Sequence, residues 1–147
     1  NFFTSRTHDP NIWPPYMNGP GNKDIIFNEL LIDWEREVTL VEGVFDAIVA
    51  GENSIPLLGS TLREDSKLFM KIVRNDTPVL LGLDADAQKK AMRLVKALLA
   101  YDVEVRMMDT SGYKDIGEMP RDVFQQRKEK APFIDSDTYL LRIALSA

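Results

Sequence analysis

The sequence predicts an α/β fold in which a four-stranded, mainly parallel sheet carries helices on both faces, with an irregular lead-in before it and a helical tail after it. Apolar, β-branched runs alternate with helix-periodic segments four times between Val38 and Gly117, the order that right-handed crossovers produce. The run Pro78-Val79-Leu80-Leu81-Gly82-Leu83 is apolar throughout, as a parallel strand covered on both faces must be. Ala87 to Tyr101 places Ala91, Leu94, Val95 and Leu98 at helical spacing, with Lys89, Arg93 and Lys96 on another face. A length of 147 residues, 44% of them hydrophobic, suits one domain with a real core.

The elements follow in order. Four of the eight prolines fall in the first 24 residues, where Trp13-Pro14-Pro15-Tyr16 and Asn18-Gly19-Pro20-Gly21 read as turns. The aromatic residues Phe2, Phe3, Trp13 and Tyr16 predict that this lead-in packs on a neighbour. Ile25-Ile26-Phe27 is a strand candidate, and Leu30 to Glu37 a connector. Val38 to Val41 reads as a buried strand halted by Glu42-Gly43, and Val44 to Ala50 as a short helix ending at Gly51. Ser54 to Leu58 is a second strand stopped by Gly59-Ser60. Asp65 to Arg74 is a helix with Leu68, Phe69, Ile72 and Val73 on one face. The third strand ends at Asp84-Ala85-Asp86. Val103 to Met108 is the fourth, followed by a polar loop from Asp109 to Gly117. Asp122 to Lys130 reads as a charged helix, and Thr138 to Leu145 as an apolar docking helix. The expected boundaries are 1–37 for the lead-in, 38–120 for the core and 121–147 for the helical extension.

Composition excludes several chemistries. With no cysteine there is no disulfide framework, zinc ribbon or thiolate nucleophile, and the single histidine, His8, excludes His-rich metal sites and most His-based triads. A formal net charge of −5 argues against a nucleic-acid binder held by phosphate neutralisation over its whole surface, so any such contact is local or metal-mediated. The longest apolar runs reach about half of the ~20 residues that a membrane span needs. The opening Asn1-Phe2-Phe3 resembles neither an initiator nor a signal peptide, and the expectation is a piece of a longer polypeptide.

In an open parallel sheet, ligands bind beyond the carboxyl ends of the strands. Glu42 follows the first predicted strand, with Asp46 one helical turn on; Asp84 and Asp86 follow the third, and Asp115 lies in the loop after the fourth. Carboxylates converging on one edge repel each other unless cations hold them, and hard oxygen donors suit Mg²⁺ or Mn²⁺ and phosphoryl chemistry. Each acid also has a plainer reading. Glu42 would be favoured at a helix N-terminus, Asp46 would be solvated, and Asp84 and Asp86 would cap the long helix. Lys114 beside Asp115 is either a phosphate contact or a surface pair. The Lys89, Lys90, Arg93, Lys96 face is either a solvated face or a guide for a nucleic-acid backbone. The conjunction of strand–Glu-Gly-x-x-Asp with strand–Asp-x-Asp about 40 residues later favours the site over these readings.

Leu40-Val41-Glu42-Gly43-Val44-Phe45-Asp46-Ala47-Ile48, Leu58-Gly59-Ser60, Leu83-Asp84-Ala85-Asp86 and Lys114-Asp115 together resemble the Toprim domain of bacterial-type primases, type IA and type II topoisomerases and some nucleases. Ser5-Arg6, Tyr16-Met17-Asn18-Gly19-Pro20-Gly21, Lys23 and Ile25-Ile26-Phe27-Asn28-Glu29 resemble the segment preceding that domain in DnaG-type primases, particularly bacteriophage ones. The resemblance covers residues 1 to 120. It implies RNA primer synthesis on single-stranded DNA from nucleoside triphosphates, in the cytoplasm or, for a virus, the host cytoplasm. It further implies Mg²⁺ or Mn²⁺ at Glu42, Asp46, Asp84, Asp86 and Asp115, with Glu42, Asp84 and Asp86 catalytic. Arg6, Lys23, Lys114 and Lys89 would be nucleotide or nucleic-acid contacts, and a replicative helicase would be a partner. The glycine that many primases carry shortly after Asp-x-Asp is replaced here by Ala87-Gln88-Lys89-Lys90. The Cys-based zinc module and most of the basic polymerase subdomain are absent from the sequence, so this chain is expected to prime weakly or not at all by itself.

The same acids would serve a Toprim nuclease, with water in place of the primer hydroxyl. A topoisomerase fits less well, because its tyrosine nucleophile normally sits in a separate domain. A receiver domain would place an adjacent acidic pair after the first strand, where this chain has Glu-Gly-x-x-Asp. A non-catalytic nucleic-acid-binding or assembly module is the remaining alternative.

Overall fold

The structure is a computed structural model and describes residues 4–7, 9, 11, 16–18, 24–59 and 62–145. In the lead-in, β1 (Thr4–Arg6) and β2 (Tyr16–Asn18) pair antiparallel, with Ser5 opposite Met17, an element that the turn-rich composition does not announce. The packing expected of Phe2, Phe3 and Trp13 lies outside the described residues, as does the side chain of Tyr16.

Ile25-Ile26-Phe27 forms no strand. Residues 24–26 have no regular structure, and Phe27-Asn28 turns into a 3-10 turn at Glu29–Leu31. Ile26 instead packs against the main core, so the apolar triplet serves burial and not a ladder. Asp24 accepts a hydrogen bond from the Lys67 amide at 2.8 Å and fastens this segment to the start of a helix.

The main sheet consists of β3 (Val38–Val41), β4 (Ser54–Pro56), β5 (Val79–Gly82) and β6 (Val105–Met107), in the order β4-β3-β5-β6 and parallel throughout. Leu40 stands opposite both Ile55 and Leu81, and Leu81 opposite Met107. The expected four-stranded parallel sheet is therefore present, with shorter strands than the apolar runs suggest. β4 stops at Pro56 because Leu58 takes φ 54°, outside the extended region. Pro56 is tolerated because β4 is an edge strand.

Helices α1 (Val44–Ala50), α2 (Lys67–Asn75), α3 (Gln88–Leu99), α4 (Arg121–Lys130) and α5 (Ser136–Leu145) complete the fold. α2 begins at Lys67 and not at Asp65, because Ser66 is its cap and accepts from the Phe69 amide. α3 begins at Gln88, after a 3-10 turn at Ala85–Ala87. Its stripe Ala91, Leu94, Val95 and Leu98 is buried with Leu68, Phe69 and Ile72 of α2 on one face of the sheet, against Val38, Leu40, Val79, Leu81 and Val105. Ala47 and Ala50 of α1 and Phe124 of α4 cover the other face against Val41 and Leu80. The strand residues thus divide between two cores with the period of two that a pleated sheet imposes. The chain after α4 remains part of this body: the Ile134 amide donates to Val105 at 2.8 Å, and α5 lies on α3. No helix of the described residues is long and apolar enough to cross a membrane.

Candidate functional site

The strand order explains where the acids meet. From β3 the chain crosses outward to β4 and then returns past β3 to β5 and β6, so the connections diverge between β3 and β5. That switch point opens a crevice at the carboxyl ends of these two strands. Glu42 is the first residue after β3, and Asp84 is the second after β5.

Three glycines let the backbone close around the acids. A Cβ on Gly82 would stand 2.8 Å from Ile116 Cδ1, so the missing side chain lets the 3-10 turn Ile116–Glu118 settle over the end of β5. A Cβ on Gly117 would lie 3.1 Å from Asp115 Oδ1 and 3.2 Å from Asp46 Oδ1, and one on Gly43 would lie 3.2 Å from Asp46 Oδ2. The loop after β6 is fastened from both sides. Thr110 Oγ1 donates to the Leu83 carbonyl at 2.8 Å, and Arg127 of α4 donates to the carbonyls of Asp109 and Ser111.

Asp46 is buried and not solvated. Its Oδ2 accepts from the Gly43 amide at 2.8 Å and its Oδ1 from the Gly117 amide at 2.9 Å, which joins the β3–α1 turn to the turn after β6. Burial pushes its carboxyl above the ordinary range; the two amides oppose that shift, and Asp115 and Glu42 add to it. Asp84 is pushed up to about 7, first by burial and then by the negative charge of Asp46, Glu42, Asp115 and Asp86, in that order. Asp86 is exposed on the 3-10 turn and acts on Asp84 more weakly than the other three. Asp115 Oδ1 caps its own turn by accepting from the Glu118 amide at 3.0 Å.

The capping reading of Asp84 fails, since its side chain makes no cap hydrogen bond and the cap position of α3 is Ala87. Instead, Asp84 Oδ1 and Glu42 Oε1 are buried with no hydrogen-bond partner. Glu42 Oε2 accepts from Lys90 Nζ at 2.8 Å. Two orphaned carboxylate oxygens at one crevice need an explanation, because buried polar atoms are nearly always paired.

These atoms meet the donor chemistry of a hard divalent cation. Among the described residues, no group of three or more acidic side chains is already gathered into a metal-holding arrangement. Mg²⁺ does not require one, since it keeps several waters and binds through one or two carboxylates together with substrate phosphates.

The basic residues divide differently from expectation. Lys89 and Lys114 are exposed, and the lysine that reaches the acids is Lys90. Helix phase carried that signal. At about 100° per residue, Lys89 falls opposite the stripe of Ala91, Leu94, Val95 and Leu98, whereas Lys90 falls on its flank. Arg6 lies in β1 with its side chain outside the described residues, and Lys23 and His8 lie outside them altogether.

No family model matches the chain, and no curated protein matches it. A solved structure does: the zinc-binding and RNA polymerase domains of the Aquifex aeolicus primase superpose with a TM-score of 0.69 at 21% identity, over 90% of this chain and 37% of that one. The chain thus spans about a third of the length of that structure. At this identity the likeness concerns the fold, and the architecture described here is one that a primase also adopts.

Proposed function

We propose that this chain is the Toprim-type catalytic segment of a DNA primase, joining ribonucleotides on a single-stranded DNA template. The observation that carries the reading is the pair of buried, unpartnered oxygens, Glu42 Oε1 and Asp84 Oδ1, at the switch point of a primase-like fold. In the reaction, a primer 3′-hydroxyl attacks the α-phosphate of a nucleoside triphosphate, a new P–O bond forms, and pyrophosphate departs. Bound Mg²⁺ or Mn²⁺ would supply charge stabilisation at the phosphates. Glu42 and Asp84 would hold the cation, with Asp86 at the open side. Asp46 would act indirectly: both of its oxygens are engaged by amides, so it fixes the two turns that carry Glu42 and Asp115. Asp115 would lend charge while capping its turn.

The test is calorimetric titration of the full chain with Mn²⁺ and Mg²⁺, wild type against Asp84→Asn/Asp86→Asn. Binding that is lost in the double variant supports the reading, and affinity unchanged by the substitutions overturns it. Primer formation and cleavage are then separated on a longer chain that restores the polymerase segment. Ribonucleotide incorporation on single-stranded DNA supports a primase, while metal-dependent cutting that disappears with Asp84→Asn supports a nuclease built on the same acids.

A further inference from the structure

Lys90 is placed unlike its neighbours on α3. Its ammonium lies 2.8 Å from Glu42 Oε2, and the two side chains are only 23% and 22% exposed. It engages one oxygen of a carboxylate whose other oxygen is buried and unpartnered, beside the equally unpartnered Asp84 Oδ1. Its ammonium thus stands at an edge lined by Glu42, Asp46, Asp84, Asp86 and Asp115, where two acceptors remain unmet. An ammonium is a compact point charge on a flexible four-carbon stem. The helix below it is anchored by Ala91, Leu94, Val95 and Leu98, all buried, so the head can leave Glu42 without any backbone movement. Leaving the Glu42 carboxylate uncompensated would be costly at this burial, so the pair opens only as another cation takes its place.

We propose that Lys90 is a displaceable counter-ion: its ammonium holds the Glu42 carboxylate while no metal is bound, and a divalent cation enters by taking Glu42 from it. This rests on the metal reading above and adds to it a built-in competitor that sets metal affinity. The exchange replaces one positive charge by two at the acidic edge. It also frees an ammonium at the mouth of the crevice, where the phosphates of a nucleotide would approach.

The probe is Mn²⁺ alone, titrated by calorimetry into the wild-type chain and into Lys90→Met, Lys90→Arg, Lys89→Met and Asp84→Asn, with circular dichroism to check folding. Methionine keeps much of the stem and removes the charge, and Lys89→Met removes an equal charge that makes no pair with Glu42. The expected result is Mn²⁺ binding about five-fold tighter in Lys90→Met. Lys90→Arg should be no tighter than wild type, and Lys89→Met should shift by less than about two-fold, because an exposed charge is screened. Equal tightening in the two methionine variants would reduce the effect to a general field and overturn the exchange, and so would unchanged affinity in Lys90→Met. If Asp84→Asn binds Mn²⁺ as the wild type does, or if no protein binds it, the metal reading falls and the exchange falls with it. Loss of binding in Asp84→Asn together with no gain in Lys90→Met would remove the exchange alone.

Discussion

The two ends of the one parallel sheet treat polar groups in opposite ways. At the amino end, Asn53, just before β4, donates to the carbonyls of Asp33 and Glu37 and accepts from the Asp33 amide. Thr77, before β5, donates to the Trp34 carbonyl at 2.6 Å. Arg106 of β6 joins Glu37 at 3.1 Å and donates to the carbonyls of Lys128 and Ala131 at the end of α4. At the carboxyl end, acids crowd together, two of their oxygens have no partner, and Asp84 is pushed up to about 7. The amino end is built for stability. The carboxyl end gathers acids whose oxygens the fold satisfies only in part.

The contrast breaks most sharply at Arg106. Arg106→Met should cost about 2–4 kcal/mol in urea unfolding, because it strands Glu37 and the carbonyls at the end of α4. Mn²⁺ affinity should not change; a joint loss of stability and metal binding would show that the two ends are not independent. Asn53→Ala should cost about 1–3 kcal/mol, since it leaves connector carbonyls unmet and places alanine at φ 55°, a left-handed conformation that asparagine tolerates better.

A substitution at the other end should act in the opposite direction. Asp84 holds its proton to about pH 7 in the folded chain, against 3.8 for the free group. The fold therefore binds this proton more tightly than the unfolded chain does. Ionisation of Asp84 thus lowers stability as pH rises from about 4 through 7, and the full loss is present above 7. Asp84→Asn should raise the melting temperature at pH 8 by a few degrees, on the order expected for a chain of this size, with the gain vanishing near pH 4. Destabilisation at pH 8 would equate Asp84 with Asn53 and erase the contrast. The smallest effect is expected at Gly117→Ala, whose Cβ would crowd Asp115 and Asp46 at 3.1 and 3.2 Å. A loss of about 1 kcal/mol, with weaker Mn²⁺ binding, would show that the glycine serves the acidic edge.

Much of the carboxyl end was legible because its acids lie directly after apolar runs, so locating the strands located Glu42 and Asp84 as well. The unbroken apolar run at Val79 to Gly82 likewise announced a strand covered on both faces, though not which residue faces which core. Strand order was not, since nothing in a run states its neighbour, and the switch point between β3 and β5 emerged only from the pairing. Ile25-Ile26-Phe27 misled because burial and strand pairing favour the same residues. The amino end left almost no trace: Asn53, Thr77 and Arg106 are ordinary polar residues whose partners lie 16 to 69 positions away. Lys90 differs from Lys89 only through the phase of the helix.

The double hold on Asp46 also bears on the order of folding. Its bond to Gly43 spans three residues, while its bond to Gly117 spans 71. The first can form as soon as α1 does; the second waits for the closure of a long loop, with the entropy that closure removes. As the chain emerges from its amino end, Glu42 and Asp84 are made well before the turn that secures them. Completion of the acidic edge is therefore expected to wait for that closure. Hydrogen exchange at the Gly117 amide, followed during refolding, would time its completion separately from the assembly of the sheet beneath it.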